Sequence, residues 1–179
     1  MQKEKHMPLL GVGPIYVVCC ILLTICGITF AKMGFLDIGQ VEHFNLVFYV
    51  FGTFFIILGI MLWLFAVVFS RIDEKIKSGR LAKDGVYGIV RNPIYSAFLF
   101  ICTGVLLFLH NLFLLLLPPL FWLFLTIFMI FTEERWLKKE FGAEYDEYCR
   151  HVNRVIPFFR ISKCKKKSKT DEIEVKSGH

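Results

Sequence analysis

Arg91-Asn92-Pro93-Ile94-Tyr95 and Glu133-Glu134 stand at the two ends of one stretch, Asn92 to Thr132, that runs for 41 residues without an Asp, Glu, Lys or Arg. At about 1.5 Å of rise per residue, such a stretch crosses a bilayer and returns, as two helices joined at His110-Asn111. Both polar groups then finish at the same surface. A guanidinium, an amide, a phenol and two carboxylates, distant in the chain, gather at the mouth of a helical hairpin and form a seat suited to a charged small molecule.

Composition supports this reading. With 56% hydrophobic residues and 20 Phe in 179, the chain has too few polar side chains to cover a water-facing globule of its size. The expected fold is all-α, an integral membrane bundle of about four transmembrane helices followed by a cytosolic amphipathic helix. The spans run roughly Gly13 to Ala31, Asn45 to Phe69, Pro93 to Leu109 and Leu112 to Phe131. The third has only 17 residues, about 25 Å of helix, so local thinning or a start inside the Arg91 region is expected.

Orientation follows from the basic residues. With the N-terminus inside, cytoplasmic segments hold 20 of the 21 Lys and Arg, and outside loops hold only Lys32. That places both termini in the cytoplasm and the polar mouth on the cytosolic face. Lys3 and Lys5 precede an apolar run, as in a signal peptide. The run is too long for that and lacks a small-residue cleavage site, so a retained span is expected.

One domain is expected over residues 1–161, with its chemistry in about 79–158 and a disordered polybasic tail over 162–179 drawn to anionic membrane lipid. The two spans before Ser70 read as packing elements. Arg71 to Lys83 reads as a short surface helix, broken by Gly79, Asp84-Gly85 and Gly88. No metal site is expected, since the six cysteines lack C-x-x-C or Cys/His spacing. Dinucleotide, Walker A and zinc-protease motifs are absent, and no nucleic-acid partner is expected.

Pro93 suits the first turn of the third span, whose free amides and positive dipole end favour an anion. Arg91 can serve that site, or simply snorkel or fasten the hairpin by pairing with a glutamate. Adjacent helical residues diverge by about 100°, so one of Glu133 and Glu134 is expected to face the bundle and the other water. Beyond them Leu137, Phe141, Tyr145, Tyr148 and Val152 mark one apolar face, interrupted at Gly142. This face covers either the polar mouth, as a lid, or lipid.

Leu81, Asp84-Gly85-Val86-Tyr87, Arg91-Asn92-Pro93-Ile94-Tyr95, Glu133-Glu134-x-x-Leu137, Phe141-Gly142-x-Glu144-Tyr145-x-x-Tyr148 and Val155-Ile156-Pro157, in this order, resemble the isoprenylcysteine carboxyl methyltransferase family. The related phospholipid methyltransferases share much of the pattern. The resemblance covers about Gly79 to Phe158. It implies a multi-span enzyme that binds S-adenosylmethionine and methylates a lipophilic small molecule or prenylated substrate. By that likeness Arg91, Glu133 and Glu134 are the catalytic candidates. The cofactor would be held by Tyr87, Val90, Arg91, Asn92, Pro93, Tyr95, Glu133, Glu134, Leu137, Phe141, Tyr145 and Tyr148.

The chain departs from the family pattern at three places. Asn92 replaces a frequent His, and Ala97 a frequent Gly. Phe128-Met129-Ile130-Phe131 lacks the arginine that prenylcysteine enzymes carry before the acidic pair, so a carboxylate substrate needs Arg135 or Arg154 instead. A phospholipid, amine or thiol acceptor, a sterol-reductase-like NADPH enzyme and a non-enzymatic membrane scaffold are the alternatives.

Overall fold

The computed structural model describes residues 13–41, 44–69, 81 and 83–157. The expected surface helix Arg71 to Lys83, apart from Leu81 and Lys83, and the basic tail 162–179 lie outside the described residues. Among the described residues five α-helices follow in order: α1 (Gly13–Lys32), α2 (Asn45–Leu64), α3 (Pro93–Leu107), α4 (Leu117–Phe131) and α5 (Glu133–His151). A π turn over Phe65–Phe69 lengthens α2, and a 3-10 turn over Phe113–Leu116 leads into α4. Among the described residues there is no strand, only isolated bridges.

Three helical segments, Gly13–Lys32, Asn45–Val68 and Phe113–Phe131, are long and apolar enough to cross a membrane. The shorter apolar helix α3 is the centre of the bundle. Nine of its 15 residues are buried, from Pro93 and Ser96 to Leu106, so its neighbours and not lipid satisfy most of its surface. The helix begins at Pro93 and not inside the Arg91 region.

Packing against α3 depends on small residues. Helices in lipid gain little from hiding apolar surface from one another, so close backbone approach supplies the attraction. A Cβ on Gly104 would lie 2.6 Å from the Gly52 carbonyl oxygen, and one on Gly59 would lie 2.7 Å from that of Ala97. The two pairings run in opposite chain directions, so α2 and α3 are antiparallel. Phe55 and Phe100 stack between them with ring centroids 5.7 Å apart. On α1 the buried residues Tyr16, Cys20, Thr24 and Gly27 recur at helical spacing and form the face it presents to the core. Thr24 and Thr103 return their hydroxyls to carbonyls four residues back, at 2.7 Å each, so neither is left unsatisfied in the core.

The expected reversal at His110-Asn111 is present. His110 has φ of 48°, and the buried Asn111 amide donates to the Leu36 carbonyl at 2.6 Å while its oxygen accepts from the Phe113 amide at 3.0 Å. The α3–α4 turn is thereby tied to the α1–α2 connection, and α3 and α4 return to the end of the bundle where α3 began.

Gly104→Val is expected to destabilise the protein by about 1–3 kcal/mol, because the added carbons meet backbone that cannot yield. Val50→Ala, on an exposed face of α2, is expected to change little. Thermal unfolding of the detergent-solubilised variants checks both.

Candidate functional site

The segment before α3 and the segment after α5 form a short parallel clip. Val90, fully buried, bridges to Asn153. The Arg91 amide donates to the Asn153 carbonyl at 2.9 Å, and the Asn92 amide and side-chain nitrogen both donate to the Arg154 carbonyl, at 3.3 and 3.2 Å. Asn92 therefore spends its side chain on the clip and does not cap α3 with it. Pro93 opens the helix where an amide hydrogen would have no partner. The clip brings Arg91 and Arg154, 63 positions apart in the chain, to the same place.

The acidic pair meets them there. α4 ends at Thr132, whose non-helical backbone (φ −114°, ψ −87°) separates it from α5, so the two are not one continuous helix. Glu133 and Glu134 become the first two residues of a new helix, at the positive end of its dipole. Tyr95 donates its phenol to Glu133 at 2.9 Å. Glu134 lies between two guanidiniums: Arg91 Nη1 is 3.2 Å away, and Arg154 donates through Nε and Nη2, the latter at 2.7 Å. The expectation that one carboxylate faces water is corrected. Both turn inward, because α3 supplies a partner on one side and the 152–155 segment on the other; the Glu134 side chain is only 14% exposed.

α5 then bends at Gly142, whose φ of 51° and ψ of −123° suit glycine alone. Tyr145, Tyr148 and Val152 are buried together, with Leu81, Leu137, Phe141 and Cys149 against them. The apolar face thus covers protein at the polar mouth. Tyr148 donates to the Tyr87 carbonyl at 2.6 Å, and Arg91 Nη1 lies 3.4 Å from the Tyr145 hydroxyl and 2.7 Å from the Cys149 sulfur. Outside, Lys83 and Glu144 form an exposed ion pair at 2.6 Å.

Burial raises the Glu133 carboxyl above its ordinary pKa, and the Tyr95 hydrogen bond opposes that rise. Burial likewise raises the phenols of Tyr145 and Tyr148, which stay neutral. The hydrogen bond to Glu134 raises Arg154 further into its charged form. Arg91 Nε is buried with no hydrogen-bond partner among the described residues, as is the Tyr16 hydroxyl.

The structure brings Tyr87, Arg91, Tyr95, Glu133, Glu134, Tyr145 and Tyr148 to one end of the bundle, with Val90, Asn92 and Pro93 in the clip and Leu137 and Phe141 lining α5. Sequence reasoning left Arg154 outside this set except as one possible replacement for a missing arginine. The structure puts it on Glu134, whereas Arg135 is exposed. Cys149, a single thiol, carries no motif in the sequence that marks it for the site. Tyr16 of α1, read as part of a plain packing span, also reaches the site, with its ring edge-on to Tyr95 at 6.1 Å.

Comparison with known proteins is consistent with this arrangement. Over 80 residues, 44% of the chain, it is 36% identical to protein-S-isoprenylcysteine O-methyltransferase B of Arabidopsis thaliana, and the matched stretch spans 40% of that protein's length. No solved structure matches the chain. The model of the phospholipid methyltransferase family matches residues 15–144, from the first turn of α1 past the bend in α5 and through both halves of the polar mouth, and the chain therefore belongs to that family of membrane methyltransferases.

Proposed function

We propose that the chain is a membrane-embedded enzyme that transfers a methyl group from S-adenosylmethionine to a lipophilic acceptor at the cytosolic face. The observation that carries this reading is the convergence of Arg91, Tyr95, Glu133, Glu134, Tyr145, Tyr148 and Arg154 on one polar end of an otherwise apolar bundle. The distribution of Lys and Arg supports a cytosolic position for that end.

The residues fit the cofactor's charges. The unused Arg91 Nε suits a carboxylate, the Glu133 carboxylate suits an ammonium or sulfonium, and the faces of Tyr87, Tyr145 and Tyr148 suit a cation. Val90, Asn92 and Pro93 set the first turn of α3 beside them, and Leu137 and Phe141 exclude water. When bound, S-adenosylmethionine supplies a methyl group already activated by its positive sulfur. The protein's share is then orientation, charge complementarity and a dry site, with no strong protein nucleophile required. Glu134 holds two guanidiniums close to one another, and the bend at Gly142 lets α5 act as a lid over them.

The acceptor is proposed to enter sideways from the membrane. The Arabidopsis relative is named for a prenylcysteine substrate and the family for phospholipids; both present an anionic group on a lipid-like body. Arg154, 23% exposed at the site, supports such a group and takes the place of the arginine missing before Glu133.

Calorimetry on detergent-solubilised protein is expected to show binding of S-adenosylhomocysteine that weakens at least about tenfold in Arg91→Ala. Glu134→Gln is expected to cost more affinity than Glu133→Gln, since only Glu134 balances two cations while a glutamine at 133 still accepts the Tyr95 hydrogen bond. Equal and negligible losses, or binding of NADPH alone, would overturn the assignment. Methyl transfer from labelled S-adenosylmethionine is expected onto a total lipid extract or a prenylcysteine analogue; transfer to neither removes the lipophilic acceptor.

Glu133 also makes stability depend on pH. Its folded carboxyl is raised from the ordinary 4.5, so the folded protein holds that proton more tightly than the unfolded chain. Stability therefore falls as pH rises from about 4.5 through the folded value, then levels off. Glu133→Gln is expected to remove this slope in thermal melts across that range.

A further inference from the structure

We propose that the first span is part of the site and that Gly13, where α1 begins, is a positioning residue for Tyr95. A Cβ on Gly13 would stand 1.8 Å from the Tyr95 phenol oxygen and 2.3 and 2.4 Å from its ring atoms Cζ and Cε1. No side chain fits there. The bare backbone of Gly13 is the wall against which the phenol rests, while its oxygen donates to Glu133 at 2.9 Å on the other side. Three residues on, Tyr16 meets the Tyr95 ring edge-on at 6.1 Å and is itself held by Phe124 at 6.0 Å. Tyr95 is thus confined between α1 and the start of α5.

This glycine differs from those that bring helices together. At Gly104 and Gly59 an added methyl would meet carbonyl oxygens of the facing helix, so the cost there falls on packing. At Gly13 the three nearest atoms it would meet all belong to the free end of a tyrosine side chain. The bundle can accept a methyl by turning that phenol away, and the loss falls on Glu133, which is half-buried and has Tyr95 as its hydrogen-bond donor. Gly13 lies just before the stretch matched by the family model, which begins at residue 15, so this contact is an observation on this chain's own structure. Its consequence for ligand affinity rests on the methyltransferase reading; its effect on Glu133 does not.

The test uses the full chain in detergent, with the titration of Glu133 followed by the 13C shift of its labelled carboxyl, assigned with Glu133→Gln, and S-adenosylhomocysteine affinity measured by calorimetry. Among the described residues the titratable group in contact with Glu133 is the Tyr95 phenol from α3; Glu134, with its Arg91 and Arg154 partners, is its neighbour in sequence on the same helix. Gly13→Ala is expected to move the titration upward in the same sense as Tyr95→Phe, and to weaken binding at least about tenfold, the scale of one lost hydrogen bond to a charged group. In the double variant the titration is expected to match Tyr95→Phe alone. Gly27→Ala, on the same helix but facing Leu114 at 3.0 Å, is expected to lower the melting temperature and leave both readouts unchanged.

An unchanged titration in Gly13→Ala, an additive double variant, or the same shift in Gly27→Ala would each overturn the role of Gly13. Should Gly13→Ala fail to fold, adding Tyr95→Leu, which removes the atoms in the way, is expected to restore folding; no restoration would overturn it as well. Wild-type protein that binds no S-adenosylhomocysteine would instead sink the cofactor reading, and the titration would still decide what Gly13 does.

Discussion

One carboxylate between two guanidiniums organises the polar end of this protein. Glu134 reaches Arg91 from the start of α3 and Arg154 from the segment after α5, and so joins three parts of the chain that no local structure brings together. Charges this well covered are stable only as a set, since removing any member leaves an unpaired charge in a poorly hydrated place. The clip of hydrogen bonds from Arg91 and Asn92 to Asn153 and Arg154, backbone except for the Asn92 side chain, relieves the remaining side chains of holding the segments together. They are left free to shape a site.

The apolar end of the structure works by different rules. Between the spans, small residues set how closely helices approach, and α3 sits where its neighbours cover it. This placement makes a 15-residue helix sufficient and gives its first turn a rigid seat. The turn at Asn111 anchors the far end of the same helix. Position of the site and packing of the bundle are therefore one problem: Tyr95 can reach Glu133 only if α3 is held at both ends and α1 leaves room for the phenol.

The hydrophobic runs and the two flanking polar motifs were enough to foresee the four apolar helices, three of them long enough to cross a membrane, the reversal at His110-Asn111 and the meeting of Tyr95 and Arg91 with the acidic pair. Their lengths and charge spacing encode these directly, because a bilayer permits few ways to fold an apolar hairpin. The bend at Gly142 was legible too, as a glycine breaking a helical pattern. The direction of each glutamate was not. A 100° step says that neighbours diverge, but the break at Thr132 and the partners on both sides decide that both turn inward. Arg154 was equally hard to place, since a lone basic residue near a charged tail has no periodicity to mark it.

By itself the sequence determined the class of the molecule, its spans and which motifs share an end, because these follow from how much apolar surface lies between charges. Tertiary structure alone decided that Arg154 completes the Glu134 cluster, that the apolar face of α5 lies over the polar mouth, and that the start of α1 touches Tyr95. Those are contacts between segments whose relative position depends on side-chain shape and hydrogen-bond partners, and hydrophobic patterning holds no record of either.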